Sequence, residues 1–531
     1  MRNLGSASEY DVVVIGAGVN GLVTAALLAQ AKRRVLVVEA LGRAGGACAT
    51  GEIVAGHRVS TYAHLVGPLD ASVVKTLKLA RFGLGYSAKQ ITTVALSPDG
   101  RHIVLDGDLR HTAANLAVHS QADAKAWPVF DARMAKLAQQ LQRWAQTPPG
   151  GPFDQAARGG GLFAARPTTR AAMMLDAESA VLLDGSVGEL LDQAFETPLI
   201  KGAVAFDTVI GSALSPRAQG TVFAAALRAA LEAEAPEGIV HPQGGAGALA
   251  AALQKAAEAA GVRLRLNARV TNLLFDQGRL AGVALASGEA IYAPTVVSSL
   301  NAKATLLGLG AERQLPLGLK RRLAGFRDQG SVAKVNLALA KLPAFKGIDK
   351  RLLKERLIVC PSIDHLDRAF AAYEQGTFAP DPALEITIPS VHDASLATPG
   401  QHVLSAHVLY VPKTLRAGSW DEKSKNELIA AVGATLRQYS PDLPDLILGA
   451  DLYTPADIER TGGSVGGHWH GGDLTLDQLG PLRPAAGMSR HETPIAGLYL
   501  CGAGTHPCGG VTFVNGRNAA EAVLAGAGAN A

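Results

Sequence analysis

Apolar positions first run together near the start of this chain, where Val12-Val13-Val14-Ile15 is followed by Gly16-Ala17-Gly18-Val19-Asn20-Gly21. An apolar helical stretch comes next, and then Arg34-Val35-Leu36-Val37-Val38-Glu39. Short runs without alternation predict strands buried on both faces, so the opening reads as strand, glycine turn, helix, strand. From Asp70 to about Ala235 the pattern becomes alanine-rich and helical, as in Asp131 to Trp144. Two breaks interrupt it, a turn at Pro148 to Pro152 and an apolar glycine loop at Gly159 to Phe163, readable as a linker, a lid or a membrane-touching tip. A second α/β unit is predicted from His241, with a helix over Ala248 to Ala260 and a strand over Val262 to Leu266. A three-stranded meander is expected over Ala268 to Phe275, Leu280 to Ala286 and Ala290 to Ser298. Strands such as Ser331 to Ala340 then alternate with helices such as Glu422 to Tyr439, and a final strand at Leu498 meets a Gly/Pro turn and a helix.

The glycines of the first turn give that pattern its chemistry. Gly16 permits the turn, Gly18 lets backbone N–H groups approach a pyrophosphate, and Gly21 lets helix and sheet pack closely. Glu39 ends the second strand where a carboxylate accepts from a ribose hydroxyl, which disfavours a 2′-phosphate. The loop Ala40 to Thr50 places Arg43, Gly45 and Gly46 where they reach the same pyrophosphate from its other side. The tail from Leu498 to Ala520 carries a second strand-to-helix anion device. A flavin dinucleotide, long enough to need both ends of the chain, uses two such devices where NAD needs one.

Length and charge narrow the field. A chain of 531 residues predicts two or three domains, with segments that need not be contiguous. A net charge of +4 without basic stripes excludes nucleic acid as an expected partner. Cys48, Cys360, Cys501 and Cys508 show no close pairing, which predicts reduced thiols, a cytoplasmic setting and no disulfide-reductase chemistry. The first eleven residues lack an apolar signal region, and no uninterrupted apolar run reaches the ~18 residues of a membrane span, leaving room for peripheral membrane contact. The cluster Gly466 to Asp473 offers His468 and His470, expected on one side of a strand, with Asp473 beside them; without a familiar ligand spacing, structural or substrate-facing histidines are expected, and no metal.

Several motifs taken together resemble the phytoene dehydrogenase-like FAD-dependent oxidoreductases, in the wider flavin amine oxidase and glutathione reductase superfamily, and most of all the pyridine nucleotide-disulphide oxidoreductase domain-containing group. They are GAGVNG with Glu39, GGACATGEIVAGHRVSTYAH, PQGGAGAL at Pro242, HGGDLTLDQLGPLRP at His470 and LYLCGAGTHPCGGVTFVNGRNAA at Leu498. The resemblance implies an α/β fold: a Rossmann-type FAD-binding domain built from residues 1–70, 236–300 and 491–531, and a discontinuous α+β substrate domain from 71–235, with its helical insertion, and 301–490. It implies that Gly16, Gly18 and Asn20, with Val19, line the pyrophosphate turn, that Glu39 and Ala40 meet the ribose, and that Arg43, Gly45 and Gly46 lie on the phosphate side. Val270 would meet the adenine, Gly502 and Gly504 the ribityl chain, and Gly510, Val511 and Thr512 the flavin ring. The chain departs from the glutathione reductase pattern in lacking an acid after Cys501-Gly502, and it has Cys508 where relatives tend to have glycine, which raises the hypothesis of covalent attachment.

The resemblance also implies the reaction, hydride transfer from a substrate C–H to flavin N5, with a small apolar or isoprenoid-like substrate and oxygen or a quinone as acceptor. His64, Lys334, His470 and His506 are the candidates for residues near the ring, with Lys334 readable equally as a solvated edge lysine. An amine oxidase and a non-catalytic FAD-binding scaffold or redox sensor are the alternatives, an aromatic content of 5% arguing mildly against the first. Substrate, acceptor and oligomeric state are left open by the sequence.

Overall fold

A computed structural model describes residues 8–146, 176–233 and 237–528. The first buried run forms the centre of a five-stranded parallel sheet. Val12–Ile15 pairs on one side with Val35–Val38, itself flanked by Arg263–Arg265, and on the other with Thr295–Ser298, flanked by Leu498–Leu500. Strands from three distant parts of the sequence thus lie side by side. Helices Val19–Gln30, Ala246–Ala259 and Val514–Gly528 cover one face through Leu22, Leu28, Leu253 and Val523. Val12–Ile15 and Val35–Val38 are apolar at every position because both faces are covered.

The meander is present but its third strand is divided. Val270–Asp276, Arg279–Leu285 and Ala290–Tyr292 pair antiparallel, whereas Thr295–Ser298 leaves them for the parallel sheet. Pro294, which has no N–H to donate, separates the two segments of the run expected as one strand over Ala290 to Ser298.

A second sheet of seven strands carries most of the rest. Its order is Ile447–Tyr453, Val332–Leu339, His402–Leu409, Leu384–Thr387, Arg356–Val359, Thr93–Ala95, Ile103–Leu105. The last two come from the stretch expected to be mostly helical; three residues each, they are too short to register against alanine-rich surroundings. The helices there include Gln121–Gln146, Pro198–Val209 and Thr221–Glu232, packed in one cluster around Phe206, Phe223 and Leu227. The Pro148 to Pro152 turn and the Gly159 to Phe163 loop lie outside the described residues. Among the described residues no helix is long and apolar enough to cross a membrane.

Register in the second sheet aligns polar residues that the sequence keeps apart. Lys334 stands opposite His407, and His407 opposite Glu385, so three polar side chains form a row across adjacent strands. All three are buried.

Candidate active site

The strand ends of the parallel sheet open onto a cavity of about 600 Å³ that reaches the second sheet. At its first end lies the Gly16 turn. The helix Val19–Gln30 begins at Gly18 with no side chain capping it, so its free N–H groups face the cavity. A Cβ at Gly18 would meet nothing within 4 Å, while one at Gly21 would stand 2.2 Å from the Gly16 carbonyl oxygen. Gly18 therefore leaves open space, and Gly21 permits close packing. The Glu39 carboxylate accepts from the N–H groups of Ala17 (2.7 Å) and Leu41 (2.8 Å), each oxygen keeping a further lone pair for a hydroxyl.

At the far end the C-terminal turn and the 466–473 segment pack backbone against backbone. A Cβ at Gly471 would lie 2.3 Å from the Gly504 nitrogen, and one at Gly509 would lie 2.2 Å from the His470 Cα. Fully buried Arg483 ties these loops together, donating to the carbonyls of His470 (2.6 Å), Asp473 (3.1 Å) and Thr505 (3.2 Å). Burial lowers its guanidinium to about 10. The result is a rigid glycine-lined wall of Gly502, Ala503, Gly504, Gly509 and Gly510.

A protein-family model described as FAD dependent oxidoreductase matches residues 11–366. The chain belongs to this family. It is 32% identical to "Pyridine nucleotide-disulfide oxidoreductase domain-containing protein 2" of Rattus norvegicus, over 97% of this chain and 93% of that one. It is 27% identical to a limonene dehydrogenase polypeptide of Castellaniella defragrans, covering 99% of this chain and 96% of the relative. Among solved structures, cyclohexylamine oxidase from Brevibacterium oxydans superposes with a TM-score of 0.60 at 16% identity over 98% of this chain and 99% of that one, which shows a shared fold.

The residues present fit FAD. An uncapped helix N-terminus, open space at Gly18 and a strand-end carboxylate suit the pyrophosphate and ribose, and the glycine wall lies farther along the same cavity. Of the residues singled out from sequence, Gly16, Gly18, Val19, Asn20, Glu39, Ala40, Gly46, Val270, His470, Gly502, Gly504, Gly510, Val511 and Thr512 line this one cavity. Gly45 does not line it; it packs beneath the turn, its N–H donating to the Ala17 carbonyl at 2.8 Å. Arg43 is exposed and outside the lining. His506 is wholly buried behind the glycine wall rather than on it. Cys508 does line the cavity, its thiol pushed up by burial to about 11.

The histidine cluster turns out differently from its strand expectation. Residues 463–475 are turns, not a strand, and the rings of His468 and His470 stand 6.2 Å apart at 71°. His468 accepts the His470 backbone N–H at Nδ1 (3.2 Å) and faces Asp473 with Nε2 (3.3 Å), while Asp473 also accepts from Arg327 (3.3 Å). The three side chains hold loops together. His470 is lowered by burial and then by His468 to about 4, so it faces the cavity neutral.

Lys334 is no edge lysine: it lies in an interior strand and is 1% exposed. Its Nζ lies 2.6 Å from His64 Nδ1, and His64 Nε2 lies 3.2 Å from Glu385 Oε2. The same carboxylate oxygen takes His407 Nδ1 at 2.7 Å, and Arg356 binds the other oxygen. Arg356 also clamps Asp207, which Arg228 reaches from the helix Thr221–Glu232 at 3.2 Å. Sequence reasoning missed Asp207, Arg228, Arg356, Glu385 and His407. Each sits in a strand or helix far from the others in sequence, and only the lone polar residues in apolar strands, such as Glu385 in Leu384–Thr387, were available as signals. Burial raises the Glu385 carboxyl, but Arg356 and the two histidines outweigh it and hold it well below its ordinary range. Ligand atoms of His64, Glu385 and His407 come within 4.8 Å of one another, a spacing a metal ion accepts. The Lys334 amine already donates to His64 Nδ1, and the Arg356 guanidinium already holds the Glu385 carboxylate, a positive charge that disfavours a divalent cation there.

Proposed function

We propose that this FAD-dependent oxidoreductase desaturates an apolar, isoprenoid-like substrate, with oxygen or a quinone as the electron acceptor. The observation that carries the reading is the state of the charges in the cavity. Its wall beyond the glycines comes from Ile210, Ala224, Leu227, Leu231 and Leu474. The carboxylates beside that wall, Asp207, Glu232 and Glu385, are each matched to an arginine, Arg228 or Arg356. Each acid of this set already bonds an arginine, which disfavours its use for an ammonium group, and Trp469 is the sole Phe, Tyr or Trp among the described lining residues, too few for an aromatic cage.

FAD supplies the electron-accepting chemistry, taking hydride from a substrate C–H bond. The chain's own contribution is to bind and to exclude water. The aliphatic side chains of the helix Thr221–Glu232 desolvate a hydrocarbon and hold it against the glycine wall. The neutral His470 ring and Trp469, stacked at 5.8 Å, bound the cavity near that wall. The likeness to a protein named for limonene dehydrogenation supports the same substrate class.

Anaerobic mixing of the yellow holoprotein with a panel of monoterpene alkenes and longer polyenes, against a panel of alkylamines, tests the reading. Bleaching of the visible absorbance by the hydrocarbons alone is expected. Bleaching by amines alone would replace it with the amine oxidase reading, and bleaching by neither panel would favour the non-catalytic one.

A further inference from the structure

The buried row across the second sheet contains one residue whose hydrogen bonds cannot all be satisfied in its neutral form. His64 presents Nδ1 to the Lys334 amine, a donor, and Nε2 to the Glu385 carboxylate, an acceptor. A neutral ring with its proton on Nε2 satisfies both. His407 is different. Its Nδ1 lies 2.7 Å from Glu385 Oε2 and its Nε2 lies 3.2 Å from the Tyr62 carbonyl oxygen, and both partners only accept. With one ring proton, either tautomer leaves a lone pair facing an oxygen. With two, both contacts become hydrogen bonds.

The charges of the set balance without a charged histidine. Glu385 and Asp207 carry two negative charges, and Arg356 and Arg228 carry two positive ones. With Lys334 and both histidines neutral the set carries no net charge, so negative charge added to the cavity draws a proton to it. Burial keeps Lys334 and His64 well below their ordinary values and brings His407 to about 4, so all three are neutral while the cavity holds no added negative charge. The groups facing His407 are Lys334 and Glu385 on the flanking strands, the His64 ring tilted by 33° with its centroid 3.8 Å away, and the Trp469 ring edge-on at 4.1 Å. The ring lines both the main cavity and a side chamber of about 30 Å³, shared with Lys334 and Tyr62 and large enough for one water.

We propose that His407 is the proton-accepting residue of this cavity, taking up one proton when two electrons enter and releasing it when they leave, with Glu385 as its positioning residue. In a substrate oxidation the C–H electrons depart as hydride to FAD. The remaining proton passes to the side-chamber water as one of that water's own protons forms the second ring N–H bond, which leaves the water unchanged. Arg356 and Arg228 do not lose protons at neutral pH, so no path continues outward through them, and the proton returns by the same chamber.

The test uses holoprotein and no substrate, so it stands apart from the choice of substrate class. The midpoint potential is measured by dithionite titration with redox dyes from pH 6 to 8. Uptake of one extra proton per two electrons steepens the wild-type slope by about 30 mV per pH unit, a tenfold change in equilibrium per unit. In His407→Gln that increment disappears, and in Glu385→Gln it moves to lower pH because the ring has lost its anionic partner. An unchanged slope in His407→Gln would overturn the proposal. Should both variants fail to hold FAD, histidine-labelled wild type decides by ¹⁵N NMR: one ring becomes doubly protonated on reduction, and no such change is the refuting result. One equivalent of bound metal that disappears in His64→Asn would also refute it, by assigning the cluster to an ion.

Discussion

Removing Arg356 is the most direct way to test whether the buried charge ladder is one cooperative unit. Arg356 is 1% exposed and binds Glu385 through Nε and Asp207 through both terminal nitrogens. Methionine in its place keeps much of the stem's volume but leaves Glu385 with only neutral histidines and Asp207 with Arg228 at 3.2 Å. Breaking a buried pair by deleting one partner costs about 3–5 kcal/mol, a large part of the 5–15 kcal/mol typical of a folded domain. Urea unfolding followed by circular dichroism at pH 7 should show that loss for Arg356→Met. Adding Glu385→Gln removes the orphaned charge, and the double variant should recover about 1–3 kcal/mol relative to additivity. The pH dependence carries a sign as well. With Arg356 present, Glu385 titrates below its ordinary range, so its stabilising contribution is complete above pH ~4.3 and is lost only as the pH falls through the folded value. In Arg356→Met the carboxyl titrates higher, and the gap to wild type should narrow as the pH is lowered toward 5. A loss under about 1 kcal/mol, or strictly additive effects of the two substitutions, would refute the ladder.

Other consequences rest on single observations. Gly18→Ala places a methyl in open cavity space at an ordinary φ of −67°, so it should spare folding and weaken FAD binding at least about tenfold, ~1.4 kcal/mol, as read by fluorescence titration of apoprotein. Gly21→Ala collides with the Gly16 carbonyl and should instead cost about 1–3 kcal/mol of stability, visible as a lowered melting temperature. Burial holds His241 at about 3, and His407, His470 and His491 at about 4, so the unfolded chain binds protons that the folded one refuses below pH ~6.5. Stability should fall by up to about 1.4 kcal/mol per pH unit per ring between pH ~6 and 4, and a urea midpoint that stays flat from pH 7 to 5 would contradict this. The Cys508 thiol, raised to about 11, is a poor nucleophile, so Cys508→Ser should keep its flavin content, and acid precipitation of wild type should leave a yellow supernatant over a colourless pellet.

The local devices of this chain were determined by its sequence alone. An unbroken apolar run before a glycine turn, a strand ending in Glu39 and a matching turn at the C-terminus state a dinucleotide site, because their requirements are short-range: backbone that turns tightly, N–H groups without caps, one carboxylate a fixed strand away. Those residues do gather on one cavity. The tertiary structure decided everything that depends on strand neighbours. Lys334, Glu385 and His407 are far apart along the chain and look like isolated polar interruptions, yet register sets them in one row and burial makes each depend on the next for its charge. A linear sequence specifies which groups are present; their mutual electrostatics come from distance and desolvation, and both are properties of the folded packing.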